Sequence, residues 1–156
     1  MQDVGRWLIL GAIAALLVAG CGGKSKASRA HAQAVDRSAA LFAVRVDADL
    51  RSGRFARAWR TLHPGQKRVV SARRLAACYP GDQYPRRVTF EATAVRSVGW
   101  TVPGTRRPVQ AKAVTVNARS RGQVIQTFTQ HVVRNGRAWA WMLSGAYFRA
   151  ATRGRC

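Results

Sequence analysis

The chain has 156 residues, 47% of them hydrophobic, and carries 27 Lys and Arg against 6 Asp and Glu, for a formal charge of +21. That length suits one domain able to bury an ordinary core, and the apolar fraction with five Trp excludes wholesale disorder. Six carboxylates leave little material for acid–base pairs or hard-metal cages, which favours a non-enzymatic binding or scaffold module.

Residues Trp7 to Ala19 form an apolar run behind a short head carrying Arg6. Thirteen residues are too few to cross a bilayer core of about 30 Å, which takes roughly 20 in a helix. A short apolar core followed by small residues has signal-peptide form. Its ending, Val18-Ala19-Gly20-Cys21, resembles a bacterial lipobox. The resemblance implies that Cys21 becomes the new N-terminus, carries a lipid, and holds the protein on the extracytoplasmic face of the cell membrane. A plain secretory signal or a buried apolar segment is the alternative. Residues 1–20 are thus read as signal, 21–33 as lipidated Cys and flexible tether, and 34–156 as the domain. Losing residues 1–20 removes Arg6 and Asp3 together, so the exported part keeps its +21.

From Ala34 to Arg51, Val35, Ala39, Phe42, Val46 and Leu50 recur at intervals of four, three, four and four, one face of an amphipathic helix. On this reading Asp36 and Asp47 fall off the apolar stripe and Asp49 borders it. Ser52-Gly53 ends the helix. A shorter helix carries Phe55, Trp59 and Leu62, and Pro64 stops it near His63. A third starts at Ser71 as N-cap, with Val70 and Leu75 spaced as a hydrophobic staple, and ends before Pro80-Gly81.

The period then falls to two. A strand is predicted from about Arg87 to Trp100, with Val88, Phe90, Ala92 and Ala94 alternating; a second runs from Val109 to Arg119, turns at Ser120-Arg121-Gly122, and a third runs from Gln123 to Arg134. Asn135-Gly136 reads as a two-residue type I′ turn into a fourth strand, Arg137 to Ser144, with Trp139, Trp141 and Leu143 on one face. The expected fold is α+β, three N-terminal helices packed on a curved antiparallel sheet of about four strands. Outside the cytoplasm Cys78 and Cys156 are expected to pair, closing a long loop worth about 4–5 kcal/mol in the chain-entropy model. Metal binding is the competing use, though two Cys without a nearby His make a poor zinc site.

The helix, the segment Gly53-Arg54-Phe55-Ala56-Arg57-Ala58-Trp59 leading to Leu62-His63-Pro64, then Cys78-Tyr79, then strands ending in Asn135-Gly136-Arg137-Ala138-Trp139-Ala140-Trp141 resemble, in that order, the nuclear transport factor 2-like superfamily. More narrowly, they resemble small lipoproteins of that superfamily from Gram-positive bacteria with GC-rich genomes. The resemblance covers about Ala34 to Arg149 and implies a cone-shaped fold with a pocket between helices and sheet. It implies little about activity, since such folds host enzymes, binders and scaffolds.

Enzymes of that superfamily work with Asp, His or Tyr in an apolar cone. Here Asp36, Asp47 and Asp49 lie on the first helix, Asp82 in a Pro/Gly loop, and Glu91 and His131 on strands. No phosphate loop, metal cluster or nucleophile elbow is present, so no catalytic residue, metal or cofactor is assigned. Trp139, Trp141, His131 and Glu91 are the candidate pocket residues, with core packing the competing role for the Trp pair. Arg73, Arg74, Arg86, Arg87, Arg106 and Arg107 are the candidate anion-binding residues, because the guanidinium fork suits phosphate and carboxylate. The leading expectation is a lipid-anchored, non-catalytic basic domain contacting anionic envelope polymers or lipid headgroups. A small-ligand or lipid-binding cone is the second reading, and an isomerase- or cyclase-like enzyme the third. Coding bias toward Arg without a specific partner competes with the first. An exported chain rarely meets nucleic acid, which is not expected as a partner.

Overall fold

A computed structural model describes residues 26–79, 87–105 and 107–155. The chain runs α1 (Lys26–Arg51), α2 (Phe55–Arg60), α3 (Pro64–Lys67), α4 (Ala72–Cys78), β1 (Val88–Thr101), β2 (Pro108–Ser120), β3 (Gln123–Asn135), β4 (Ala138–Met142) and α5 (Gly145–Arg153). The architecture is α+β, with one antiparallel four-stranded open sheet in the order β1-β2-β3-β4.

α1 buries Ala39, Phe42, Ala43, Val46 and Leu50 against the sheet. It starts at Lys26, inside the stretch read from sequence as tether, because Lys-Ala-Ser-Arg-Ala-His-Ala-Gln-Ala is rich in strong helix formers. Residues 26–34 are exposed throughout, so this extension stands on helix propensity and not on packing. Gly53, at φ +71°, ends the helix as expected. The segment before the sheet holds four helical pieces where the sequence predicts three. α2 stops at Arg60, and Pro64 begins a new single turn instead of ending the old one, its ring in the first position behind His63, whose Nδ1 accepts from the Gly65 N–H at 3.1 Å. α4 starts as predicted, with Ser71 accepting from the Arg74 N–H at 3.2 Å and both Val70 and Leu75 fully buried.

Two turns exchange roles. Asn135 pairs with Ala138, so the loop is Gly136-Arg137 with positive φ at Gly136 alone, the type II′ pattern and not the predicted I′. Arg121 and Gly122 both have positive φ, 52° and 81°, and make the I′ pattern between Ser120 and Gln123. A bulge between Ala92 and Ala94 changes the phase of β1, so Val95, not the exposed Ala94, follows Phe90 and Ala92 toward the helices.

The main core joins α1, α2 and α4 to Val114, Val116, Val132, Trp141 and Leu143. A smaller core on the other sheet face gathers Val102, Ala111, Val133, Ala140 and Met142, with Trp100 laid beside them. The tip of the β1–β2 hairpin therefore curls over that face and reaches the helices. Gly104, at φ +85°, sits so close to the Phe148 ring that a Cβ there would lie 2.3 Å from it.

Gln66 fastens this junction. Its side chain is fully buried, its Oε1 accepts from the Leu143 N–H at 2.9 Å, and its Nε2 donates to the carbonyls of Leu143 and Pro103 at 3.3 and 3.4 Å. Replacing it with the similarly sized Gln66→Leu strands those buried groups, so urea unfolding should show a loss of about 2–4 kcal/mol. A loss below about 0.5 kcal/mol, the level of an ordinary surface change, would show that the amide is no clamp.

Candidate functional site

β4 pairs only with His131–Asn135 of β3 and stops at Met142. In the space beyond its end lies a cavity of about 240 Å³, bounded by Asp47, Leu50 and Arg51 of α1, Phe90 of β1, Gln126 and Phe128 to His131 of β3, Met142, and Tyr79, Ser144 and Tyr147. Its walls are mostly apolar and aromatic. Phe90 and Phe128 meet edge to face at 6.3 Å, and the rings of Tyr79 and Tyr147 stack at 5.1 Å. Gln130 is buried with its Nε2 given to the Met142 carbonyl at 3.4 Å.

Asp47 is the chemical anomaly of this cavity. It is 6% exposed, and its Oδ2 has no hydrogen-bond partner among the described residues. Burial alone pushes its carboxyl up to about 8, so near neutral pH it is mainly the uncharged acid. The sequence reading set Asp47 off the helix stripe; the structure corrects this. Ala43, small but apolar, widens the buried arc, and at about 100° per residue Asp47 falls only some 40° past it. Counting Ala43 as an inward position was the available signal.

Asp49 is also buried, on the opposite flank of the stripe, but it is paired. Arg54 Nε donates to it at 2.8 Å and Arg57 Nε lies at 3.2 Å, which ties the end of α1 to α2. Asp36 pairs with Lys112 across to β2 at 2.6 Å.

Of the four pocket residues taken from the sequence, His131 alone borders the cavity. Its ring stacks on Trp100 at 3.6 Å, and burial, then the nearby Arg96 charge, push its pKa down. Glu91 is exposed and faces Arg119 at 2.7 Å. Trp141 is fully buried and its Nε1 donates to the Ala58 carbonyl at 2.7 Å; Trp139 donates to Ser38 Oγ at 3.1 Å and lies under the Arg134 guanidinium. Both indoles therefore serve the core, because each turns toward a helix that offers its N–H an acceptor. Trp100 is half-buried against His131.

Arg73, Arg74, Arg87 and Arg107 are exposed and scattered over α4, the start of β1 and the β1–β2 loop; Arg86, Arg106 and Asp82 lie outside the described residues. Cys78 is buried and disulfide-bonded. Cys156, its partner on the sequence reading, and Cys21 lie outside the described residues, while α5 packs on α4 and so carries the C-terminal segment toward Cys78. No group of three His, Cys, Asp or Glu able to hold a metal occurs among the described residues.

An acid held protonated in the fold but ionised near 3.9 when unfolded costs stability as pH rises from about 4 to 8, by up to about 1.4 kcal/mol per pH unit. His63 and His131, both pushed down by burial, act with the opposite sign below about 6.5, but they are common to parent and variant. Asp47→Asn should thus match the parent near pH 4 and exceed it by about 2 kcal/mol or more near pH 8 in denaturant titrations. Equal stabilities at pH 8 would mean that Asp47 ionises freely in the fold. Comparison of the chain with protein-family models, with curated proteins and with solved structures finds no match, so its chemistry rests on these side chains.

Proposed function

We propose that the protein is a lipid-anchored, extracytoplasmic, non-catalytic domain that holds a small apolar molecule in the cavity between α1, β3 and the start of α5. The observation that carries this reading is the cavity itself: a concave space whose aromatic and aliphatic walls carry several polar side chains, among them a buried carboxyl oxygen with no described partner, is the form that small-molecule sites take. The order of elements supports a cone-shaped, nuclear transport factor 2-like arrangement, with α1, α2 and α4 as its three main N-terminal helices. Among the described residues no base is hydrogen-bonded to Asp47, which favours binding over proton-transfer chemistry.

Anchoring follows from the lipobox-like Val18-Ala19-Gly20-Cys21. No helix among the described residues is long and apolar enough to cross a membrane. A second role, attraction to anionic headgroups or wall polymers, is favoured by how the acids are used. Asp36, Asp49 and Glu91 face Lys112, Arg54, Arg57 and Arg119, and Asp47 is uncharged, so Arg73, Arg74, Arg87 and Arg107 are left facing solvent.

The cavity is tested with N-phenyl-1-naphthylamine, a neutral dye that brightens in apolar sites, added to the chain carrying Cys21→Ser so that no acyl group competes. Saturable binding at one site is expected, lost in Gln126→Trp, where an indole on the Phe128 face of β3 fills the space. Binding unaffected by that indole would place the dye elsewhere and remove the reading. Anchor and charge separate on vesicles containing phosphatidylglycerol. The lipidated protein should stay bound at about 0.5 M salt, and the Cys21→Ser chain only at about 0.05 M. Release of both, or of neither, at high salt would contradict this division of labour.

A further inference from the structure

We infer that Asp47 sets the specificity of the cavity: its carboxylic acid donates a hydrogen bond to the carbonyl or carboxylate oxygen of an apolar ligand, and the site rejects positively charged alkylammonium groups. The inference rests on the ligand-binding reading above and adds the ligand's chemical class.

Three observations carry it. Asp47 borders the cavity, is nearly fully buried, and leaves an oxygen without a partner among the described residues, so a buried polar atom is left for a ligand to complement. The remaining titratable groups on the walls are Arg51, Tyr79, His131 and Tyr147. Among the described residues none of these is a carboxylic acid, so no second described carboxylate on the walls shares a proton with Asp47 or offers an ammonium group another counter-ion. Finally, an amine would have to bring its positive charge through a chain of +21 and settle beside Arg51, whereas an acceptor oxygen meets no such barrier and a carboxylate is drawn inward. The volume, about 240 Å³, leaves room for an apolar tail beside the Asp47 carboxyl. A neutral acid is a donor as well as an acceptor, a role that an ionised one cannot fill.

Octanoate, 2-octanone and octylamine share a tail and differ at the head. Each is titrated against N-phenyl-1-naphthylamine bound to the Cys21→Ser chain at pH 6.5. Octanoate and 2-octanone should displace the dye, and octylamine should need at least about tenfold more. Adding Asp47→Leu should weaken the two acceptors about tenfold relative to the dye measured in the same variant. Asp47→Asn, which keeps a donor at nearly the same place, should hold them within about threefold. Near pH 9, where Asp47 has lost its proton, octanoate should weaken in the parent and not in Asp47→Asn. Octylamine displacing as well as octanoate, or Asp47→Leu leaving the acceptors unchanged while the dye still binds, would overturn the assignment of Asp47. A dye that does not bind the unsubstituted site at all would instead overturn the ligand-binding reading, and this inference with it.

Discussion

The carboxamide of Gln66 does in this fold what a neighbouring strand would do. By accepting from the Leu143 N–H and donating to its carbonyl, it ends β4 on a side chain. Ser144 is then free to turn outward and cap α5, accepting from the Tyr147 N–H. On its outer side β4 is covered by residues 61–63, with His63 N–H donating to the Trp141 carbonyl and Trp141 N–H to the Thr61 carbonyl. The short strand is thus enclosed and its edge gives no template for pairing. The consequence for the site is geometric. β3 runs for 13 residues and β4 for 5, so the first half of β3, paired to β2 on one side, has no strand on its β4 side among the described residues, and the cavity occupies that space.

Much of this was legible along the chain. Helix period, the Ser71 cap, the change to strand period and the four-strand meander all come from local signals that agree with the tertiary arrangement. The errors have local causes too. Asn135-Gly136 is a strong turn signal, but the turn lies one residue on, in the register that sets Arg134 opposite Trp139, its guanidinium over the indole, and Val132 opposite Trp141; those cross-strand pairs outweigh turn preference. α5 went unread although Ser144 and Gly154 mark its two ends as cap and left-handed stop. Its sequence, Gly-Ala-Tyr-Phe-Arg-Ala-Ala-Thr-Arg, buries only Phe148 and Ala151, too few apolar positions to declare a period.

The candidate site was less legible, for a physical reason. Residue type nominated Trp and His on the strands, yet whether an indole lines a cavity or fills a core depends on what faces it. Trp139 and Trp141 meet Ser38 and the Ala58 carbonyl, and nothing in their own strand encodes those acceptors. The choice of acid failed similarly. Two flanking carboxylates on α1 look alike in sequence, but Asp49 is met by the Arg54 and Arg57 side chains of the following turn and Asp47 by no described polar group. Their different states follow from those neighbours.

An unpaired acid beside an apolar cavity links proton, ligand and stability with a definite sign. While Asp47 keeps its proton, an acceptor oxygen supplies the missing hydrogen bond and favours the protonated form further. Ligand and proton then bind together. A cation in the cavity would instead favour ionisation of the same carboxyl, and the coupling would reverse. The high positive charge of the chain works against that second case at long range, and the small number of acids removes alternative partners at short range. Scarcity of carboxylates, which at first pointed only to a basic surface, therefore also restricts the chemistry of the interior. With the other described acids committed to ion pairs, the one left unpaired is the one that borders the cavity.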